Sequence, residues 1–314
     1  MKRILVTLIA ALITLAPTCQ ATSRSTRLGT SGLWPSGSTC GTDGCPKADA
    51  AQWTDFWAQA KSRSDSLIGV HVPRAGLIPA LTQVKAQGLT AVVVTDLGVP
   101  DAELADYGAL LLRVVSEFDV LALCLGNEID QDVNLDAEAA QAKTLFAQVK
   151  AAKPGVLTCS VFQYERTRAL GTEGAAMRVG KFAFTDVVAV TSYPNLGFSE
   201  TIPGYSTAAA IPANYYAPLT QWAGGRKIAF TEIGWDTGRL DGVNQQNALL
   251  TRLLSGGLIP STGVAFANWF SLYDFAGGTF QAPFTRMGLS AKQGAPRPAD
   301  ATWKSALAVP LKLS

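Results

Sequence analysis

Residues 89–128 read LTAVVVTD (89–96), LGVP (97–100), DAELADYGALLLRVVSEF (101–118) and DVLALCLGNE (119–128). The first and last blocks are short, nearly continuous apolar runs, the mark of parallel strands buried on both faces. The block between them follows a proline, offers Asp101 as an N-cap, and predicts a helix to about Glu117. Strand, helix, strand in that order is the crossover that parallel pairing requires.

The same unit recurs on both sides. Upstream stand a helix over 48–63 carrying Trp53, Phe56 and Trp57, a strand from Leu67 to Val72, and a helix through Leu77, Leu81 and Val84 that ends at Gly88. Downstream, helices are predicted over 136–152, 171–182, 212–223 and 243–255, with a last one over 299–308. Between them lie strands starting near 156, 186, 227 and 263. Arg27–Trp34 is the sole candidate for the strand that must come first. Eight strands and eight helices predict an α/β fold, a (β/α)₈ TIM barrel in a single domain, an architecture of ~250 residues. An open doubly wound sheet is the rival fold. The Gly-x-Gly-x-x-Gly and P-loop signatures that would favour it are missing.

Outside the repeat, Lys2 and Arg3 precede an apolar run from Ile4 to Ala16, too short for a bilayer span of ~20 residues. Residues 1–21 therefore read as a signal peptide cleaved after Ala21, and the mature chain is expected to be secreted or periplasmic. Residues 22–47 form a leader with the short first strand; 48–314 are the remainder of the barrel. Cys40 and Cys45 flank Gly-Thr-Asp-Gly, which in an oxidising compartment reads as a small disulfide loop. Cys124 and Cys159 lie in apolar runs and read as buried thiols, able to pair only if their strands are neighbours. With one histidine in the chain, a zinc site is not expected, and no cofactor or metal is implied.

Composition narrows the ligand. Hydrophobic residues make up 48% of 314, which excludes a disordered chain, and charged residues only 16% against ~25% for a typical domain. Lys+Arg 26 and Asp+Glu 24 are mixed along the chain, so neither nucleic acid nor, after signal cleavage, a membrane is expected as partner. A neutral polar ligand fits, bound by a monomer.

In a barrel the chemistry sits at the C-terminal ends of the strands. Strand two ends at His71, with Arg74 just beyond, and strand three at Asp96. Strand four ends at Gly126-Asn127-Glu128, strand six at Ser192-Tyr193-Pro194, strand seven at Glu232-Ile233-Gly234-Trp235 and strand eight at Asn268-Trp269. Strands four and seven face each other across the mouth. Two facing carboxylates are what glycosidic bond cleavage needs, one as acid and one as nucleophile or base. The aromatic rings of Tyr193, Trp235 and Trp269 would offer flat apolar faces to a sugar. A Ser-His-Asp hydrolase is disfavoured because the chain has no Gly-x-Ser-x-Gly elbow.

These strand ends resemble those of the clan A glycoside hydrolases, retaining (β/α)₈ enzymes with an acid/base Glu after Asn on strand four and a nucleophile Glu on strand seven. The likeness covers strands four to eight, about half the chain, and is greatest to glycoside hydrolase families 17 and 53, which act on β-glucans and β-galactans. It implies a secreted retaining β-glycosidase on a polysaccharide or oligosaccharide. Glu128 would be acid and base, Glu232 nucleophile, and Asn127 a partner of the sugar 2-hydroxyl. Tyr193 would hold Glu232, while Trp269, Trp235 and His71 would contact substrate; Asp96 and Arg74 are further candidates, Arg74 for a hydrogen bond near the nucleophile. A transglycosylase uses the same residues, and a non-catalytic carbohydrate-binding barrel is the reading from another class. For the leader, alkylation of the exported protein without reductant should leave Cys40 and Cys45 unlabelled by intact mass; labelling at both would exclude their disulfide.

Overall fold

A computed structural model describes residues 24, 26–33, 35, 39–40, 46–255, 258–259, 263–275, 282–291 and 294–309. Eight parallel strand positions form the barrel: β1 Arg27–Ser31, β2 Leu67–His71, β3 Thr90–Thr95, β4 Val120–Leu125, β5 in two pieces (Leu157–Cys159 and Val161–Gln163), β6 Val187–Ser192, β7 Lys227–Ile233 and β8 Val264–Phe270. The sheet order runs from the first piece of β5 through β4, β3, β2, β1, β8, β7 and β6 to the second piece of β5. The first piece pairs with β4 and the second with β6, so one strand, interrupted at Ser160, serves both edges. The expected TIM barrel is thus the fold of the chain. Its first strand, short and carrying few large apolar side chains, is fixed by register on both sides: Arg27–Ser31 against Phe266–Phe270, and Thr30–Ser31 against Ile68–Gly69.

Helices α1 Ala50–Ser62, α2 Leu77–Ala86, α3 Leu104–Glu117, α4 Leu135–Ala152, α5 Tyr164–Ala169, α6 Gly171–Gly180, α7 Ala217–Ala223, α8 Gly242–Leu254 and α9 Pro298–Leu307 surround the strands. Helix α1 starts on a capping box, with Asp49 Oδ1 accepting the Gln52 N–H and Gln52 Oε1 accepting the Asp49 N–H, both at 2.8 Å. Asp101 does not cap α3. It opens a short 3₁₀ turn, Asp101–Glu103, and α3 begins after Glu103 without a side-chain cap. The helix predicted over 171–182 is α6, and an unpredicted short helix, α5, precedes it, capped by Gln163 whose side chain accepts the Arg166 N–H at 2.7 Å.

Strand alternation divides the apolar residues into two sets. Leu67, Val92, Val94, Ala122, Cys124, Cys159, Val161, Val187, Ala189, Ala229 and Phe266 fill the barrel interior. Ile68, Val70, Val93, Leu123, Val188, Val190 and Phe230 point the other way and pack with Phe56, Leu81, Leu111 and Leu145 of the helices. Higher in the interior, polar Asn268 takes the place of a large apolar residue. A Cβ on Gly29 would lie 2.6 Å from Asn268 Oδ1 and 2.7 Å from the Leu67 carbonyl, so β1 can carry only glycine there.

Cys124 and Cys159 are register partners on β4 and β5 and form a disulfide inside the barrel. The condition for their pairing, neighbouring strands, is met here, and the alternative of two buried thiols is not. Cys45 with residues 41–44 of the expected disulfide loop, and the signal segment 1–21, fall outside the described residues. Closing a loop with a sequence separation of 35 contributes about 3–4 kcal/mol by chain entropy. The double variant Cys124→Ala, Cys159→Ala should unfold at lower denaturant, and the wild type should keep both cysteines unlabelled until unfolded with reductant.

Candidate active site

The C-terminal ends of the strands bring five of the predicted residues to one place. Glu232 reaches the interior through a register shift. Phe230 pairs with Val190 on β6, but the next register pair is Glu232 with Thr191, leaving Thr231 as the extra residue. Such a bulge re-aims a side chain next to a site. Glu232 is buried, and each of its oxygens has a partner. His71 Nδ1 lies 2.7 Å from Oε1, and the Tyr193 hydroxyl donates to Oε2. Burial, with Glu232 and Glu128 nearby, holds the Tyr193 phenol well above its usual range, so it keeps its proton and remains a donor.

Glu128 stands just beyond β4 with φ 53° and ψ 42°, a left-handed conformation uncommon for a residue with a side chain. Gly126, two residues before it, also has positive φ, and a Cβ there would lie 2.4 Å from Ile129 Cγ2. The turn therefore leaves β4 sharply and turns Glu128 back over the mouth. Its Oε1 accepts the Thr191 hydroxyl at 2.8 Å. Thr191 thus touches one carboxylate and is the register neighbour of the other. Burial is the main cause that pushes the Glu128 carboxyl up to about 7; the Thr191 hydrogen bond opposes it, and the charges of Glu232 and Asp130 add to it. Asp130 is pushed up to about 6, again chiefly by burial, while accepting the Gln163 N–H at 2.6 Å.

Beside this pair a pocket of about 380 Å³ opens between the ends of β2, β3 and β4, with His71, Asp96, Gly126, Asn127 and Asp132 in its wall. Asn127 is exposed and faces it, as a ligand contact must. Asp96 is tied down through its Oδ2, which accepts the Arg74 N–H at 2.8 Å.

Two expected sugar platforms are core residues instead. Trp269 and Trp235 are each 1% exposed and pack in the layer between barrel and helices. The Trp269 indole N–H donates to the Met287 carbonyl at 2.8 Å. Asn268 faces the interior, so alternation sends Trp269 outward and Phe270 inward. Phe270 is the strand-eight aromatic at the mouth, edge-on to Tyr193 with ring centroids 6.2 Å apart. Arg74 does not approach Glu232 either; it pairs with Glu103, and His71 takes the position beside Glu232. Thr191 and Phe270 went unread in the sequence, though the two-residue period from Tyr193 and Asn268 points to both. Among the described residues, no group of three or more His, Cys, Asp or Glu is placed to hold a metal ion.

No protein-family model and no curated protein matches this sequence. Solved structures do match in fold. GH5_18 from Streptomyces cattleya, solved in complex with GlcNAc, superposes with a TM-score of 0.63 at 15% identity, covering 91% of this chain and 80% of that one. The exo-β-1,4-mannosidase Op5Man5 from Opitutaceae bacterium strain TAV5 gives 0.63 at 14%, covering 92% and 60%. The β-D-glucuronidase of Dictyoglomus thermophilum gives 0.57 at 13%, covering 83% of this chain; the chain spans only 47% of that protein's length. At these identities the likeness establishes the (β/α)₈ barrel.

The raised Glu128 carboxyl has a sign that can be checked. Between its unfolded value of ~4.3 and about 7, only the folded protein holds this proton, so its contribution to stability is full below that window and is lost as pH rises through it. Thermal unfolding of Glu128→Gln against wild type should therefore favour the variant progressively as pH rises from 5 to 8; a difference independent of pH would contradict the assignment.

Proposed function

We propose that the chain is an exported retaining β-glycosidase that hydrolyses O-glycosidic bonds of a β-linked oligosaccharide or polysaccharide by double displacement. The observation that carries this reading is the pair at Thr191: one carboxylate held by donors on both oxygens, the other raised to about 7 by burial. That division suits a nucleophile and an acid, two carboxyl groups whose environments set different roles.

Glu128, protonated, gives its proton to the leaving glycosidic oxygen while Glu232 attacks the anomeric carbon. The bond to the leaving oxygen breaks and a covalent glycosyl ester on Glu232 forms. Glu128, now ionised, takes a proton from water as that water attacks the same carbon, and Glu232 leaves as carboxylate. His71 and Tyr193 orient Glu232 for both steps, and Asn127 hydrogen-bonds the sugar 2-hydroxyl. Retention requires carboxyl groups ~5–5.5 Å apart, a closeness supported by their common neighbour Thr191.

The pocket supports a neutral sugar. Among the described residues, Asp96 and Asp132 line it with neither lysine nor arginine, so a uronate would meet like charge in a partly desolvated cleft. Export is supported by the Cys124–Cys159 disulfide, a bond that persists in oxidising compartments.

The test is kinetic and stereochemical. A panel of aryl β-glycosides (mannoside, glucoside, galactoside, glucuronide) with mannan, β-glucan and β-galactan should give turnover on a neutral member and retention at the anomeric carbon by NMR. Glu232→Ala should lose at least ~10⁴-fold in kcat and recover with azide as the α-glycosyl azide, while Glu128→Ala should yield the β-azide from an activated substrate. Inversion, or full activity in Glu232→Ala, would overturn the mechanism. Turnover of the glucuronide alone would overturn the neutral sugar.

A further inference from the structure

The carboxyl group of Glu165, at the start of α5, is fully buried and lies outside the chemistry assigned to Glu128 and Glu232. No lysine or arginine pairs with it among the described residues; its partners are neutral donors. Oε1 accepts the Ser192 hydroxyl at 2.6 Å and the Tyr215 hydroxyl at 2.9 Å. Oε2 accepts the Gln163 side-chain amide and, at 3.3 Å, the Tyr193 backbone N–H. Tyr216 extends the network, its hydroxyl 2.8 Å from that of Ser192.

Burying a carboxyl is unfavourable unless its lone pairs are satisfied, and an apolar residue would fill the space without that penalty. What the carboxyl does here is specific. It grips two consecutive residues, Ser192 by the side chain and Tyr193 by the backbone, at the point where β6 enters the mouth. Tyr193 in turn donates to Glu232. Its ring is packed edge-on between Phe270 and Phe284, with centroids 6.2 Å and 5.1 Å away. With the ring wedged and the backbone held, the phenol has one place to point.

We infer that Glu165 is a positioning residue for the nucleophile: through the end of β6 it fixes Tyr193, and through Tyr193 it fixes the Glu232 carboxylate. This inference rests on the glycosidase reading of Glu232 and adds to it a residue four positions beyond Val161, strand β5's last interior apolar side chain, on an element that carries no reacting group.

A double-mutant cycle with Tyr193→Phe tests it on the best aryl glycoside of the panel. Glu165→Ala should lower kcat roughly tenfold or more, as misplacement of a reacting group does, with KM within about twofold. In the Tyr193→Phe background, where the phenol is gone, the same substitution should change kcat by less than about twofold, because residues that act through one contact are non-additive. Glu165→Gln, which can keep an oxygen on the Tyr193 N–H and turn its amide to the hydroxyls of Ser192 and Tyr215, should restore most of the rate. If Glu165→Ala does not fold, Glu165→Asp, which draws the carboxylate back by one methylene, takes its place with the same expected pattern. Equal losses in both backgrounds, or no loss in either, would overturn the inference. A Tyr193→Phe variant as active as wild type would overturn it too, since the phenol is the link to Glu232; absence of turnover in wild type would instead overturn the glycosidase reading.

Discussion

A strand in this barrel shows its side chains alternately to the axis and to the helices, and there is only one axis. Which of two neighbouring residues faces inward therefore decides what the mouth contains. On β6 the inward set ends Val187, Ala189, Thr191, Tyr193. On β8 it runs Phe266, Asn268, Phe270. On β7 the plain alternation from Ala229 would carry Thr231 inward, and the extra residue before Glu232 changes that parity. Without that one shift the carboxylate would face the helix layer, and His71 and Tyr193 would have nothing to hold.

The interior beneath the mouth is arranged to tolerate this concentration of polar groups. Below it lies a dry layer of Val, Ala, Leu and Phe closed by the Cys124–Cys159 bond. Above that layer come Asn268 and Ser31, then the carboxylates. Water is thus excluded from below, and the hydrogen bonds to Glu232 and Glu128 act in a medium where they weigh more than in solvent. The same exclusion raises Glu128, so one physical cause serves both the holding of Glu232 and the proton on Glu128.

The fold was largely legible because its signals are redundant. Apolar runs separated by amphipathic stretches recur so regularly that β1, with few large apolar residues, could be placed by counting alone, and its pairing with β8 and β2 agrees. The glutamates were legible because strand ends define the mouth. The tryptophans misled for a related reason: an aromatic residue at a strand end has the right height in the barrel, but height does not carry parity. Trp269 is one residue from the inward Asn268 and so belongs to the core, and Trp235 lies past the end of β7, where the strand period no longer applies. His71, at the last position of β2, and Arg74, just beyond it, show a similar limit, since each side chain meets a partner that sequence does not bring together, here Glu232 for the one and Glu103 for the other. Glu165 had no signal at all; its four partners come from β5, β6 and the segment before α7.

The place of the disulfide has a consequence for the chain as a length of polypeptide. Strands β1 to β4 carry Glu128 just past their end, and β5 to β8 carry Glu232, so each half-barrel brings one carboxylate. The Cys124–Cys159 bond ties the last strand of one half to the first strand of the other. The connecting segment runs out through Val133, an apolar side chain 94% exposed at the rim, the kind of loop tip that proteases cut first. A nick there would leave two fragments covalently joined at the seam, with β1 still laddered to β8 on the far side, so the severed protein would keep both carboxylates facing one another as a two-chain barrel.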